Sequence, residues 1–157
     1  MSVPKQKPGK SEQIVCTPKE LLFAVADRFG AIAYDLACTR ANRVVANPLN
    51  AFSHEDMDSL QAHWPGRAEG LCWLNPPFGN IAKWAKKAAE SRSRIAMLVP
   101  ASIGSNWFRG HVHGKAYVLA LNPRVTFVGH SAAYPKDLIL CVYGHGLAGF
   151  DVWEWRK

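Results

Sequence analysis

The chain has 157 residues, enough for one domain with a sizeable core, and a composition 48% apolar and 20% charged, which excludes a disordered chain or a long coiled coil. A net charge of +7 and an isoelectric point near 9.4 suit a polyanionic partner, without choosing between DNA, RNA and a basic protein that binds neither. Cys16, Cys38, Cys72 and Cys141 lie far apart with no C-x-x-C pair, so reduced, mostly buried thiols are expected in place of a zinc knuckle or redox site.

In chain order, "MSVPKQKPGK" is basic and has no apolar stretch behind it, so residues 1–12 read as a disordered basic tail and not as a secretory signal. "CTPKELLFAVADRFG" predicts a helix. Thr17 and Glu20 form a capping box, Pro18 takes the first helical position, Leu21, Leu22, Val25 and Phe29 share a face, and Gly30 marks the end. "AIAYDL" predicts a buried strand ending at Asp35; residues 37–53 read as irregular, with "NPLN" as a turn. Ser53 is expected to cap a short helix over "SHEDMDSLQAHW", and "LCWL" is a short strand stopped by Pro76-Pro77.

"NIAKWAKKAAES" then predicts a helix capped by Asn80, followed by the strand "RIAMLVP", a short helix around "GSNWFRGHV", and the strand "KAYVLAL". "RVTFV" and "DLILCVYG" are strand-like, and "FDVWEW" alternates as an edge strand does. Helices alternating with apolar strands predict an α/β fold with a mostly parallel sheet and some antiparallel pairing at one end. Ligands of such sheets bind beyond the carboxyl ends of the strands, and Asp35, Asn75 and Pro100 each end a run on that rim.

The corner Asn75-Pro76-Pro77-Phe78 is rich in acceptors, because two prolines supply no N–H and fix φ. A planar ligand bearing an NH₂ group would meet the Asn75 side chain, the Pro76 carbonyl and the ring of Phe78. Two acceptors drawing on the hydrogens of such an amine favour the sp³ geometry that aims its lone pair at an electrophile. Termination of a strand is the plainer reading of N-P-P, but the context argues for a site: a strand before, a helix after, an aromatic fourth residue, and an upstream strand ending in Asp35.

The ordered segments "CTPKELL", "YDLACTRAN", "DSLQAHW", "LNPPFGNIAKWAKKA", "AMLVPAS", "NWF" and "NPRVTF" resemble the bacteriophage DNA N6-adenine methyltransferase family, phage Dam-like, from Cys16 to Tyr143. The resemblance implies a single-domain Rossmann-like S-adenosylmethionine-dependent methyltransferase fold, with a mixed, mostly parallel sheet and helices on both faces. It implies a catalytic domain over 13–157 without a separate target-recognition domain, and methyl transfer to the N6 amine of adenine in DNA by direct in-line attack. By position, Asn75, Pro76, Pro77 and Phe78 are similar to the catalytic motif, and Thr17, Pro18, Asp35, Ala37, Cys38 and Asn75 to cofactor-contacting positions. Two departures stand out: "DLAC" has no glycine-rich turn, and Pro123-Arg124 replaces the family's Gly-Arg.

Lys83, Lys87, Arg124 and Lys136 are the cations expected to meet DNA phosphates. Trp73 and Trp84 read as core, while Trp107 is a candidate for stacking. No metal is expected, since His111 and His113 lack a Cys or carboxylate at ligand spacing. The chain is expected to be a monomer or weak homodimer of the cytoplasm, the host's if phage-encoded, with no membrane contact and short or relaxed target specificity. The alternatives are another amine methyltransferase, acting on RNA adenine, cytosine N4 or protein glutamine, and a catalytically silent nucleic-acid-binding domain of the same fold.

Overall fold

The computed structural model describes residues 16–157, so the basic tail expected over 1–12 lies outside the described residues. Among the described residues three α-helices, α1 (Lys19–Phe29), α2 (Ile81–Glu90) and α3 (Asn106–His111), accompany seven strands. The strands are β1 (Ile32–Cys38), β2 (Ala51–Ser53), β3 (Leu71–Leu74), β4 (Arg94–Pro100), β5 (Tyr117–Asn122), β6 (Leu138–Tyr143) and β7 (Gly149–Glu154). They form one sheet in the order β2-β1-β3-β4-β6-β5-β7. The β1·β2, β1·β3, β3·β4 and β5·β7 pairs are parallel and both pairs of β6 are antiparallel, so β6 runs against all the others. The expected α/β class and the antiparallel pairing at one end are both observed.

The sheet is covered on both faces. Alternate residues of the central strands, such as Cys72, Leu74, Ile95 and Met97, pack under α2 and α3 through Trp84, Ala85, Ala88 and Phe108. The intervening residues, Leu71, Trp73, Ala96 and Leu98, pack under α1 through Leu21, Val25 and Phe29. β4 is buried from Ile95 to Pro100 on both sides, which is why it reads as a continuous apolar run and not an alternating one. Trp73 and Trp84 belong to these cores, as expected. All four cysteines are free thiols, and only Cys16 is not fully buried.

Several local expectations are corrected. Thr17 does not cap α1; Pro18 occupies the cap, no side chain bonds there, and the Pro18 carbonyl accepts from Leu21 and Leu22 at 3.1 and 3.3 Å. Asn80 precedes α2 without a side-chain capping bond. β1 continues beyond Asp35 to Cys38, and β2, unforeseen, pairs with it at Asp35↔Ala51 and Cys38↔Ser53. Three steps on β1 therefore match two on β2, a bulge just after Asp35.

No helix forms over residues 53–64. Ser53 is already committed to the sheet, and its hydroxyl bonds the Asp56 carboxylate. The Asp58 side chain accepts from Leu60 N at 3.0 Å, so polar side chains satisfy the backbone as successive turns. Residues 124–128 form no strand: Val125 and Phe127 are buried, but Val128 N donates to Cys16 O and the Val125 carbonyl accepts from Tyr134 N, so the segment folds on itself as a loop.

After β6 the chain turns at Gly144, with φ at +74° and an ideal Cβ position only 2.7 Å from Ser93 O. Gly146 has a similar φ of +77° with nothing nearby. Gly144→Ala should therefore lower the unfolding free energy by about 3 kcal/mol and Gly146→Ala by about 1 kcal/mol. Denaturant titration checks the pair; equal losses would show that the contact with Ser93 contributes nothing.

Candidate active site

Parallel pairing sets the carboxyl ends of β1 and β3 side by side, with Asp35 registered on Trp73, so Asn75 lies two residues beyond that register, just past the end of β3. Beyond these ends opens a cleft of about 620 Å³ lined by Thr17, Asp35, Ala37, Cys38, Trp73 and the whole of Asn75-Pro76-Pro77-Phe78, among others. The volume falls within the range of small-molecule and cofactor sites.

The corner is built as its residues dictate. Pro77 lies at φ −57°, ψ 127° and leads into a 3₁₀ turn over Phe78–Asn80 that starts α2. Pro76 is buried, while Asn75, Pro77 and Phe78 are half-buried. Thr17, released from capping, instead accepts a long 3.5 Å hydrogen bond from Asn75 Nδ2. That contact commits the amide nitrogen to Thr17, a fellow residue of the cleft lining. Among the described residues no N–H donates to the Pro76 carbonyl. The ring of Phe78 meets the edge of Tyr134 at 5.9 Å and 70°, and Tyr134 in turn meets Phe127 at 5.7 Å and 85°.

Asp35 explains how the first strand manages without a glycine-rich turn. Its carboxylate accepts from Ala37 N at 3.3 Å and Val44 N at 2.9 Å, closing the loop that carries the cleft wall. Inside the loop, Thr39 N donates to Asn42 Oδ1 at 2.6 Å and Asn42 N to Thr39 Oγ1 at 3.0 Å. Asp35 is only 2% exposed, and burial raises its carboxyl from an ordinary 3.8 to about 7 against the lowering effect of those two N–H groups. The Cys38 thiol is pushed up to about 12, chiefly by burial and then by the charge of Asp35, so it is a neutral group of the wall.

The other expected site residues are distributed unevenly. Pro18 is not among the residues lining the cleft. Lys87 points inward: its ammonium donates to the carbonyls of Ser59 (2.9 Å), Leu60 (2.9 Å) and Ala62, and lies 4.6 Å from the Trp64 ring centre. It fastens the segment carrying Met57, Asp58 and Ser59, which line the cleft, and its three donors leave none for a phosphate. Arg124 pairs with Asp137 at 2.9 Å. Lys83 and Lys136 are exposed and carry no hydrogen bond or ion pair among the described residues. Tyr134, Phe52 and His54 also line the cleft and went unforeseen, because nothing local marks a loop residue that reaches the rim from 56 positions beyond Phe78.

Among the described residues no cluster of His, Cys, Asp or Glu could hold a metal ion, and no helix is long and apolar enough to cross a membrane.

The sequence model of the family described as "DNA N-6-adenine-methyltransferase (Dam)" matches residues 6–138. The chain belongs to this family. The Dam-family match spans the cleft, the corner and the loop bearing Tyr134. A curated relative, the DNA N-6-adenine-methyltransferase of Escherichia phage T1, is 29% identical over 122 residues, covering 76% of this chain and 49% of its own length. The chain thus spans about half the length of the curated relative it matches. No solved structure matches it.

Because the folded chain holds the Asp35 proton more tightly than the unfolded chain, stability from this group is full below about pH 4 and is lost as pH rises through about 7. Asp35→Asn removes that titration. Between pH 4 and pH 8 the variant should gain on the parent by a few kcal/mol, read by denaturant titration at both pH values; a constant difference would contradict a proton held by burial.

Proposed function

We propose that the protein is an S-adenosylmethionine-dependent DNA methyltransferase that acts on the N6 amine of adenine, on a Rossmann-like methyltransferase fold. The observation that carries this reading is the corner itself: Asn75, Pro76 and Phe78 line one cleft with the buried Asp35. The relative's name supplies the acceptor base, and the membership of the Dam family supports it.

The cleft suits the donor chemically. Among the described residues, Asp35 and Asp58 are the only carboxylates of its lining and no Lys or Arg joins them, so a molecule carrying ammonium and sulfonium charges meets acceptors there. Asp35, with its carboxyl held near neutrality, ionises fully when a cation arrives beside it. Thr17, Ala37 and Cys38 complete that side of the wall. Bound there, S-adenosylmethionine would supply a methyl group activated for nucleophilic attack.

The chain's own residues then prepare the nucleophile. An adenine amine is planar because its lone pair is shared with the ring. Asn75 Oδ1 and the Pro76 carbonyl accept its two hydrogens, which favours the pyramidal form whose lone pair points out of the ring plane. Two rigid acceptors that need no reorganisation contribute a few kcal/mol to the transition state. Phe78 supports the base, edge-locked by Tyr134. The alkylated amine is acidic and loses its extra proton to water, so no side-chain base is required.

In a duplex the target amine is out of reach, and the base must leave the stack at a cost of a few kcal/mol. Lys83 and Lys136, of the four expected the two without a partner among the described residues, would hold the phosphates; Lys87 is excluded by its carbonyl partners. Within the described residues, target discrimination falls to the loops over 37–53 and 128–136, which fits a short or relaxed site.

DNA incubated with labelled S-adenosylmethionine and the protein should yield N6-methyladenine on nucleoside analysis. Asn75→Ala should lower kcat at least about a hundredfold while affinity for S-adenosylhomocysteine stays within a few-fold. Label found only in RNA, cytosine or protein would redirect the substrate. An unchanged kcat would remove Asn75 from the mechanism.

A further inference from the structure

A second cavity, of about 330 Å³, shares Phe78, Gly79 and Tyr134 with the first and extends to Pro100 at the end of β4, Ser102, Trp107 on α3 and Lys136. The transfer chemistry does not use it. Its polarity is opposite to that of the first cleft: among the described residues Lys136 is the one ionisable group of its lining apart from the Tyr134 phenol, against the carboxyls of Asp35 and Asp58 and no Lys or Arg in the other. The neighbouring Asp137 is held by Arg124 at 2.9 Å, which offsets the nearest carboxylate. A cationic methyl donor is therefore favoured in the first cavity and disfavoured in the second, while a phosphate has the reverse preference. Trp107 is half-buried, its indole set against Phe108 at 6.1 Å and 67°, so it offers an aromatic surface to the cavity that Lys136 also lines. A flat apolar surface beside one cation is the chemistry of a nucleotide.

We propose that this second cavity is a nucleotide subsite, taking the residue of a DNA strand next to the one presented to Asn75, with its base against Trp107 and its phosphate at Lys136. The proposal rests on reading the first cleft as the site of the donor and the target base. Phe78 forms a wall of both cavities, so the two bases lie on either side of a single side chain and belong to consecutive nucleotides. The subsite engages single-stranded or flipped-out DNA, because a stacked neighbour does not reach Trp107. It also gives the chain a means of preferring certain bases beside the target.

The test uses the full chain with a fluorescent single-stranded oligonucleotide containing one adenine, read by anisotropy over a salt series, and S-adenosylhomocysteine, read by calorimetry. Trp107→Ala should weaken the oligonucleotide about tenfold, and Trp107→Phe should recover most of that loss. Lys136→Gln, an exposed change that leaves the core alone, should reduce the log–log salt slope by about 0.7. All three variants should bind S-adenosylhomocysteine within about twofold of the parent. Oligonucleotide affinity and salt slope equal to the parent's in Lys136→Gln and Trp107→Phe, with Trp107→Ala losing both ligands together, would reduce Trp107 to a packing residue and overturn the subsite. A parent protein that binds S-adenosylhomocysteine but no DNA would contradict the proposed function itself.

Discussion

Two consecutive prolines at the carboxyl end of a buried strand impose the constraint on which the site depends. β3 needs partners for its backbone only as far as Leu74, and there the chain loses two successive N–H donors. The carbonyl of Pro76 is left with no local donor, and it is held at the rim because Pro76 and Pro77 permit little movement about φ. The neighbouring strand β1, parallel and in register at Asp35↔Trp73, brings a buried carboxyl to the same rim. An acceptor without a partner among the described residues is tolerable in a residue that lines a cavity, where water or a ligand can donate to it.

Charge is distributed by the scaffold in a way that the net value conceals. Several cations of this basic chain serve the fold: Lys87 binds three carbonyls, Lys86 pairs with Glu90, Arg40 with Asp56, Arg124 with Asp137 and Arg156 with Glu20. Lys83 and Lys136 remain exposed and, among the described residues, without a hydrogen-bond or ion-pair partner, Lys136 in the lining of the second cavity beside Phe78. Lys87 links the two roles, since it springs from the helix that follows the corner and fastens the opposite wall of the cleft. The Asn75 corner and the wall carrying Met57, Asp58 and Ser59 are thus both tied to one helix.

Much of this arrangement was legible in the residues. The apolar runs of β3, β4 and β6 admit few alternatives, and the end of α1 at Gly30, with φ at +109°, followed from the glycine alone. The prolines announced the corner. The misreadings occurred where a side chain had two possible partners. Thr17 has the sequence context of a cap and the spatial context of a neighbour to Asn75, and tertiary contact prevailed. Ser53 was available either to start a helix or to end a strand, and its pairing with Cys38 decided the matter. Lys87 looks like a solvated helix residue until the carbonyls of Ser59, Leu60 and Ala62 are folded against it. Tyr134 carried no local signal, because its position beside Phe78 is a property of the loop's path and not of its composition.

The most direct measurement is a crystal structure of the protein with S-adenosylhomocysteine and an adenine-containing oligonucleotide. The account predicts the adenine amine within about 3 Å of both Asn75 Oδ1 and the Pro76 carbonyl, its ring on Phe78, with the cofactor product beside Asp35. A base bound away from the corner, with those two oxygens hydrogen-bonded to protein groups instead, would contradict it.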